Sequence, residues 1–165
     1  GAGLLRQGAP GAQGEGSARV IVAFDELAQY RHRVAMVDGA FDPLHRGHIE
    51  YFRVAAQLDA PLLCNVASDR YVSTKHAPLL PEADRAAVVD AIRFISYTHI
   101  NQFDTETILR ELQPKYYVKG KDWEGRLPPE QVRICREHGI EVVYLDTMLD
   151  SSSRILRRFA EQTQR

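Results

Sequence analysis

Five short strand-like runs, at 34–37, 62–67, 97–100, 116–118 and 140–145, alternate with segments whose apolar residues recur at helical spacing. This alternation constrains the fold more than any other feature. Parallel neighbours in a sheet need a long crossover between them, and the intervening helical segments supply it.

Asp25 to Arg31 reads as a short helix leading into the strand Val34–Val37, which ends at Asp38-Gly39. Residues 48–57 place Ile49, Phe52, Val54 and Ala55 at helical spacing among polar neighbours. Pro81 opens a helix with Glu82 and Asp84 in its first turn and Val88, Val89 and Ile92 as its buried face. Asp104 caps a helix carrying Ile108, Leu109 and Leu112, which stops before Pro114. A further helix is expected over 129–138, and Ser151 to Phe159 closes the chain as the last. The pattern predicts an α/β fold in a single domain over 18–165: a Rossmann-like parallel sheet of about five strands with helices on both faces. Residues 1–17, rich in Gly, Ala and Gln, are expected to be disordered.

A hydrophobic content of 44% supplies one full core. The formal net charge of −1 argues against a nucleic-acid binder that relies on bulk positive charge, and leaves room for a local anion site. Cys64 and Cys135 lie far apart with no partner at metal-ligand spacing, as expected in a reduced compartment, and Cys64 sits in an apolar run as a buried, inert thiol. No apolar stretch approaches the roughly 18 residues of a membrane span, and the N-terminus shows no secretory h-region. A soluble cytoplasmic protein without membrane or nucleic-acid partners is therefore expected.

In such sheets ligands sit at the carboxyl ends of the strands. The most informative segment falls there: Gly39-Ala40-Phe41-Asp42-Pro43-Leu44-His45-Arg46-Gly47-His48. A glycine directly after a strand lets a ligand approach the backbone. His45 and His48 are three apart at the mouth of the next helix, where free N–H groups and the helix dipole favour an anion, and their rings can donate to phosphate oxygens. Gly47 leaves room for a ribose or base. A pair of surface histidines, or a zinc site with Asp42, would also fit the spacing.

The run Gly39-Ala40-Phe41-Asp42-x-x-His45-x-Gly47-His48 is similar to the signature of the cytidylyltransferase-like nucleotidyltransferases, with Ala40 where that family usually has Thr, Cys or Val. The resemblance covers roughly residues 20–160. Lys119-Gly120-Lys121-Asp122 resembles a segment of the heptose 1-phosphate adenylyltransferases, and Trp123-Glu124-Gly125 one of the glycerol 3-phosphate cytidylyltransferases. Ser151-Ser152-Ser153-Arg154 matches the hydroxyl-rich turn that opens the last helix in both. The resemblance implies that His45 and His48 contact a triphosphate and that Lys75 and Arg85 meet phosphates. It also places Ser151, Ser152 and Ser153 at the β/γ end, and Gly39, Ala40, Phe41, Gly47, Lys119, Gly120 and Asp122 around the nucleotide. Asp42 and Trp123 fall on the substrate side.

The implied reaction joins a nucleoside triphosphate to a phosphorylated small molecule, with Mg²⁺ on the phosphates and a homodimer as the assembly. Thr147-Met148-Leu149-Asp150 lacks the arginine of the Arg-Thr-Glu-Gly run found in the cytidylyltransferases, which tilts the reading toward ATP and a sugar 1-phosphate such as a heptose phosphate. A CTP-dependent enzyme for glycerol 3-phosphate or a similar polyol phosphate, and an inactive nucleotide-binding sensor, are the alternatives. Asp42-Pro43 also resembles the nicotinamide mononucleotide adenylyltransferases.

Overall fold

The structure, a computed structural model, describes residues 21–147 and 152–164. Strands β1 (Ala35–Gly39), β2 (Leu62–Ala67), β3 (Ile95–Asn101), β4 (Tyr116–Gly120) and β5 (Glu141–Leu145) form one sheet in the order β3-β2-β1-β4-β5. Every pairing is parallel. The chain steps outward from β1 to β3, then returns past β1 to build β4 and β5. The strand order therefore reverses between β1 and β4, and the crevice at their carboxyl ends is the ligand position expected of such a sheet.

Side chains on one strand alternate between two cores. Met36, Leu63 and Tyr117 face a cluster with Leu27, Ile108, Leu109, Leu112 and Ile134. Ala35, Val37, Cys64, Val66 and Val118 face the other, with Phe52, Ala55, Ala86 and Val89. Helices α4 (Thr105–Leu112) and α5 (Pro129–Glu137) cover the first face, and α1 (Arg46–Ala55) and α3 (Glu82–Asp90) the second. Each fully buried Val, Leu, Ile or Phe contributes about 1.5–3 kcal/mol by leaving water. Both cysteines are buried and free.

The helix expected at 25–31 is a 3-10 helix over Phe24–Tyr30. Asp104 caps α4 as expected, its carboxylate accepting from the Thr107 N–H at 2.7 Å. Val88, expected in the core, is exposed; Val89 alone of that pair turns inward. A short helix absent from the sequence reading, α2 (Asp69–Val72), starts from a Ser68 cap. The last helix, α6 (Ser152–Thr163), runs on past Phe159. Ile21 and Val22 pair alongside Thr98 at the edge of β3. The segment 1–17, the residues Met148, Leu149 and Asp150 on which the choice of base rests, and Ser151 lie outside the described residues. Among the described residues, no helix is long and apolar enough to cross a membrane.

Candidate active site

The chain leaves β1 at Gly39 and turns sharply. Phe41 adopts φ 54°, a left-handed conformation that costs a bulky residue on the order of 1–3 kcal/mol. Its ring packs against Phe52, meets His48 edge-on at 5.0 Å, and lies over Gly39. A Cβ on Gly39 would stand 2.9 Å from that ring. The space expected to admit a ligand beside Gly39 is thus held by Phe41.

His45 is the N-cap of α1, and its Nδ1 accepts from the Gly47 N–H at 3.0 Å. His48 reaches back, its Nδ1 accepting from the His45 N–H at 3.2 Å. The two rings stack at 3.8 Å. Because each Nδ1 accepts, the hydrogen-bond pattern assigns each neutral ring's proton to Nε2, which becomes the donor. Burial, and then the neighbouring His45, push His48 down to about 3, so it is uncharged near neutral pH. The first backbone N–H groups of α1 are taken up by this capping, so the donors the pair holds toward an anion are the Nε2–H groups at the helix start, that of His45 buried. Gly47 is buried between the two histidines.

At the switch point, Asp38 on β1 and Lys119 on β4 form an ion pair, Oδ1 to Nζ 3.1 Å, with side chains only 15% and 13% exposed. The ammonium lies 4.4 Å from the centre of the Trp123 ring and 5.5 Å from that of Tyr117. The Tyr117 hydroxyl stands 3.3 Å from Asp38 Oδ2 and 3.1 Å from Gln131 Oε1, and Gln131 donates onward to Glu106. Burial, and then the Asp38 charge, raise Tyr117 far above the usual phenol range, so it stays a neutral donor. Tyr51 of α1 donates to the Val118 carbonyl at 2.7 Å, tying the histidine helix to β4. Asp122 is exposed in a 3-10 turn over Lys121–Trp123, its carboxylate so close to Gly120 that a Cβ there would lie 2.6 Å from Oδ1.

Two expected site residues turn inward instead. The Arg85 side chain is fully buried: Nε donates to the Leu80 carbonyl, Nη1 to those of Ala40 and Ala67, and Nη2 to Asp69 at 2.8 Å. It clamps the loops after β1 and β2 where a phosphate contact was expected. Asp42, expected to face the substrate, is 1% exposed and accepts from the N–H groups of Leu79 and Leu80. In sequence, a basic or acidic residue near a ligand loop looks the same whether it meets phosphate or backbone. Burial separates the two roles.

The remaining residues lie around the same end of the sheet. Ser152 donates to the Pro43 carbonyl at 2.9 Å, joining the start of α6 to the histidine turn, while Ser153 is exposed. Lys75 is exposed beyond α2, 5.0 Å over the Tyr71 ring. Ala40 is partly buried beside Phe41. A pocket of about 280 Å³, lined by Phe41, Pro43, Leu44, Leu79, Leu80 and Val88 among others, flanks the turn. Among the described residues, no group of three or more His, Cys, Asp or Glu side chains is placed to hold a metal ion. The sequence reading takes Asp38 only as the end of the first strand and not as a site residue, although a charged residue closing an apolar strand just ahead of Gly39 is a usable signal.

The family model described as Cytidylyltransferase-like matches residues 36–158. A bifunctional protein HldE from Campylobacter fetus subsp. fetus is 34% identical over 118 residues, covering 67% of this chain and 26% of the relative. The chain thus spans about a quarter of that relative's length. An FAD synthase from Archaeoglobus fulgidus is 33% identical over 134 residues, covering 77% of this chain and 97% of the relative. The crystal structure of the lipopolysaccharide core biosynthesis protein from Thermoplasma volcanium GSS1 matches with a TM-score of 0.60 at 21% identity, covering 71% of this chain and 98% of that one. At that identity the likeness shows a shared fold.

Proposed function

The chain belongs to the cytidylyltransferase-like family, and from that premise we propose that it transfers an adenylyl group from ATP to a phosphorylated small molecule and releases pyrophosphate. The observation that carries this reading is the stacked His45–His48 pair, set with its Nε2–H donors at the start of α1 and joined to the start of α6 through Ser152.

An oxygen of the acceptor phosphate attacks the α-phosphorus of the triphosphate. The new P–O bond forms as the bond to the α–β bridging oxygen breaks, and pyrophosphate departs with the electron pair. The acceptor phosphate is already ionised near neutral pH, so the step needs no general base. What remains is alignment and stabilisation of charge on the α-phosphate and leaving group, the work of preorganised donors. His45 and His48 donate to the triphosphate, Lys119 and Asp122 line the nucleotide pocket, Lys75 reaches the phosphates, and Ser152 and Ser153 face the β/γ end. Mg²⁺ bound with the triphosphate would supply further charge neutralisation.

ATP is favoured over CTP because the segment Thr147-Met148-Leu149-Asp150 offers no arginine to a cytosine carbonyl. For the acceptor, a sugar phosphate is favoured by the resemblance of the Lys119-Gly120 segment to the heptose 1-phosphate adenylyltransferases. A flavin phosphate is a second reading, favoured by the match to nearly the whole length of a relative named for making FAD. One panel tests all of this: pyrophosphate release with ATP or CTP against sugar 1-phosphates, glycerol 3-phosphate and flavin mononucleotide. Release with ATP and one acceptor is expected. Faster release with CTP overturns the base, and release with no pair overturns nucleotidyltransfer.

A further inference from the structure

We propose that Asp38 is a positioning residue for nucleotidyl transfer, acting through Lys119; this rests on the reading above. The two residues are 81 apart in sequence, and strand order alone brings them together at the carboxyl ends of β1 and β4. A carboxylate at the crevice that receives a triphosphate repels it, so direct contact with the ligand is a poor use of Asp38. Its surroundings give it a different one. Asp38 Oδ1 takes the Lys119 ammonium, while Oδ2 lies beside the Tyr117 hydroxyl, whose one proton it shares with Gln131 Oε1 as alternative acceptors. The ammonium is held on further sides by the Trp123 and Tyr117 rings.

A lysine side chain left to itself samples many rotamers, and restraining it costs entropy at the moment of binding. Here carboxylate and rings restrain it beforehand, as a cation at fixed position needs in order to favour a transition state over a ground state. A purely structural ion pair would be replaceable by apolar side chains at little loss. This one instead stands at the carboxyl ends of β1 and β4, at the topological switch point where the ligand crevice opens.

The test is a double-mutant cycle of parent, Asp38→Asn, Lys119→Met and the double variant, read as kcat and KM in pyrophosphate release and as Kd for ATP. Asp38→Asn is expected to lower kcat about tenfold with a smaller change in KM, since alignment is lost while one repulsive charge is removed. In the Lys119→Met background the same change should have no further effect. NMR of the lysine Nζ groups gives an independent readout: Lys119 should show a shifted, slowly exchanging ammonium signal that Asp38→Asn abolishes. If Asp38→Asn does not fold, Asp38→Ser replaces it, with the same expected silence in the Lys119→Met background.

Multiplying losses in the cycle, parent-like kcat and KM for Asp38→Asn, or an unshifted Lys119 signal each overturn the proposal. A parent chain that binds ATP yet transfers to no acceptor overturns the transferase reading instead. The cycle is then decided in Kd, where coupling between the two positions supports the positioning role and additivity overturns it.

Discussion

His45 and His48 cap one helix end through each other: His48 Nδ1 accepts the His45 N–H at 3.2 Å, and His45 Nδ1 accepts the Gly47 N–H at 3.0 Å. The same bonds that satisfy the start of α1 fix the tautomer of both rings, so capping and ligand chemistry are carried by opposite nitrogens. A histidine in the role usually filled by Ser, Thr, Asp or Asn is thereby explained.

That division makes the two roles separable. His45→Ala should lose the cap, at about 1 kcal/mol, and turnover, by about 10²-fold. His45→Asn keeps an acceptor for the Gly47 N–H and removes Nε2–H, so it should retain the parent's urea midpoint while losing comparable turnover. Near-parent pyrophosphate release by both variants would rule out His45 as a ligand donor.

Arg85 is expected to govern stability more than ligand affinity. Arg85→Ala strands the carbonyls of Ala40, Ala67 and Leu80 and leaves Asp69 without its partner. Only the guanidinium of this partly buried set is fully enclosed, so its removal costs about 1–3 kcal/mol, the scale of stranding buried acceptors. Urea unfolding measures it; unchanged stability together with weakened ATP binding would return Arg85 to the phosphate role.

Gly39→Ala brings a methyl to 2.9 Å from the Phe41 ring, which cannot retreat freely because Phe52 and His48 lie against it. A loss of about 1–3 kcal/mol is expected, the scale of overpacking a filled site. A thermal midpoint equal to the parent's would show that the ring moves aside at no cost.

Acid should destabilise the fold through its histidines. His48 is pushed down to about 3 and His99 is also lowered, both chiefly by burial, from an ordinary value of 6.5. Below 6.5 the unfolded chain therefore binds more protons than the native one. The stability these groups contribute is complete above 6.5 and is lost as pH falls toward their native values, at up to about 1.4 kcal/mol per pH unit for each. Urea midpoints compared between about pH 7 and pH 5, within this window, test the sign, which a flat or rising profile on acidification would reverse.

Much of the architecture is legible in the sequence alone. The alternating strands and helices, the Asp104 cap and the strand-to-helix run at 39–48 depend on residues one to four positions apart, and local chemistry sets them. The 3-10 form of 24–30 and the outward turn of Val88 already needed the packed neighbours, because apolar spacing does not tell which side of a helix meets the sheet. The charged residues were less legible still. Arg85 and Lys75 are equally basic residues beside a ligand loop, yet one is enclosed by three carbonyls and a carboxylate while the other stays in solvent. The sequence determined the elements and the histidine turn. Only tertiary structure decided that Asp38 meets Lys119 and that Arg85 and Asp42 turn inward, because the energy of a charge depends on the partners and solvent that strand order and packing place around it.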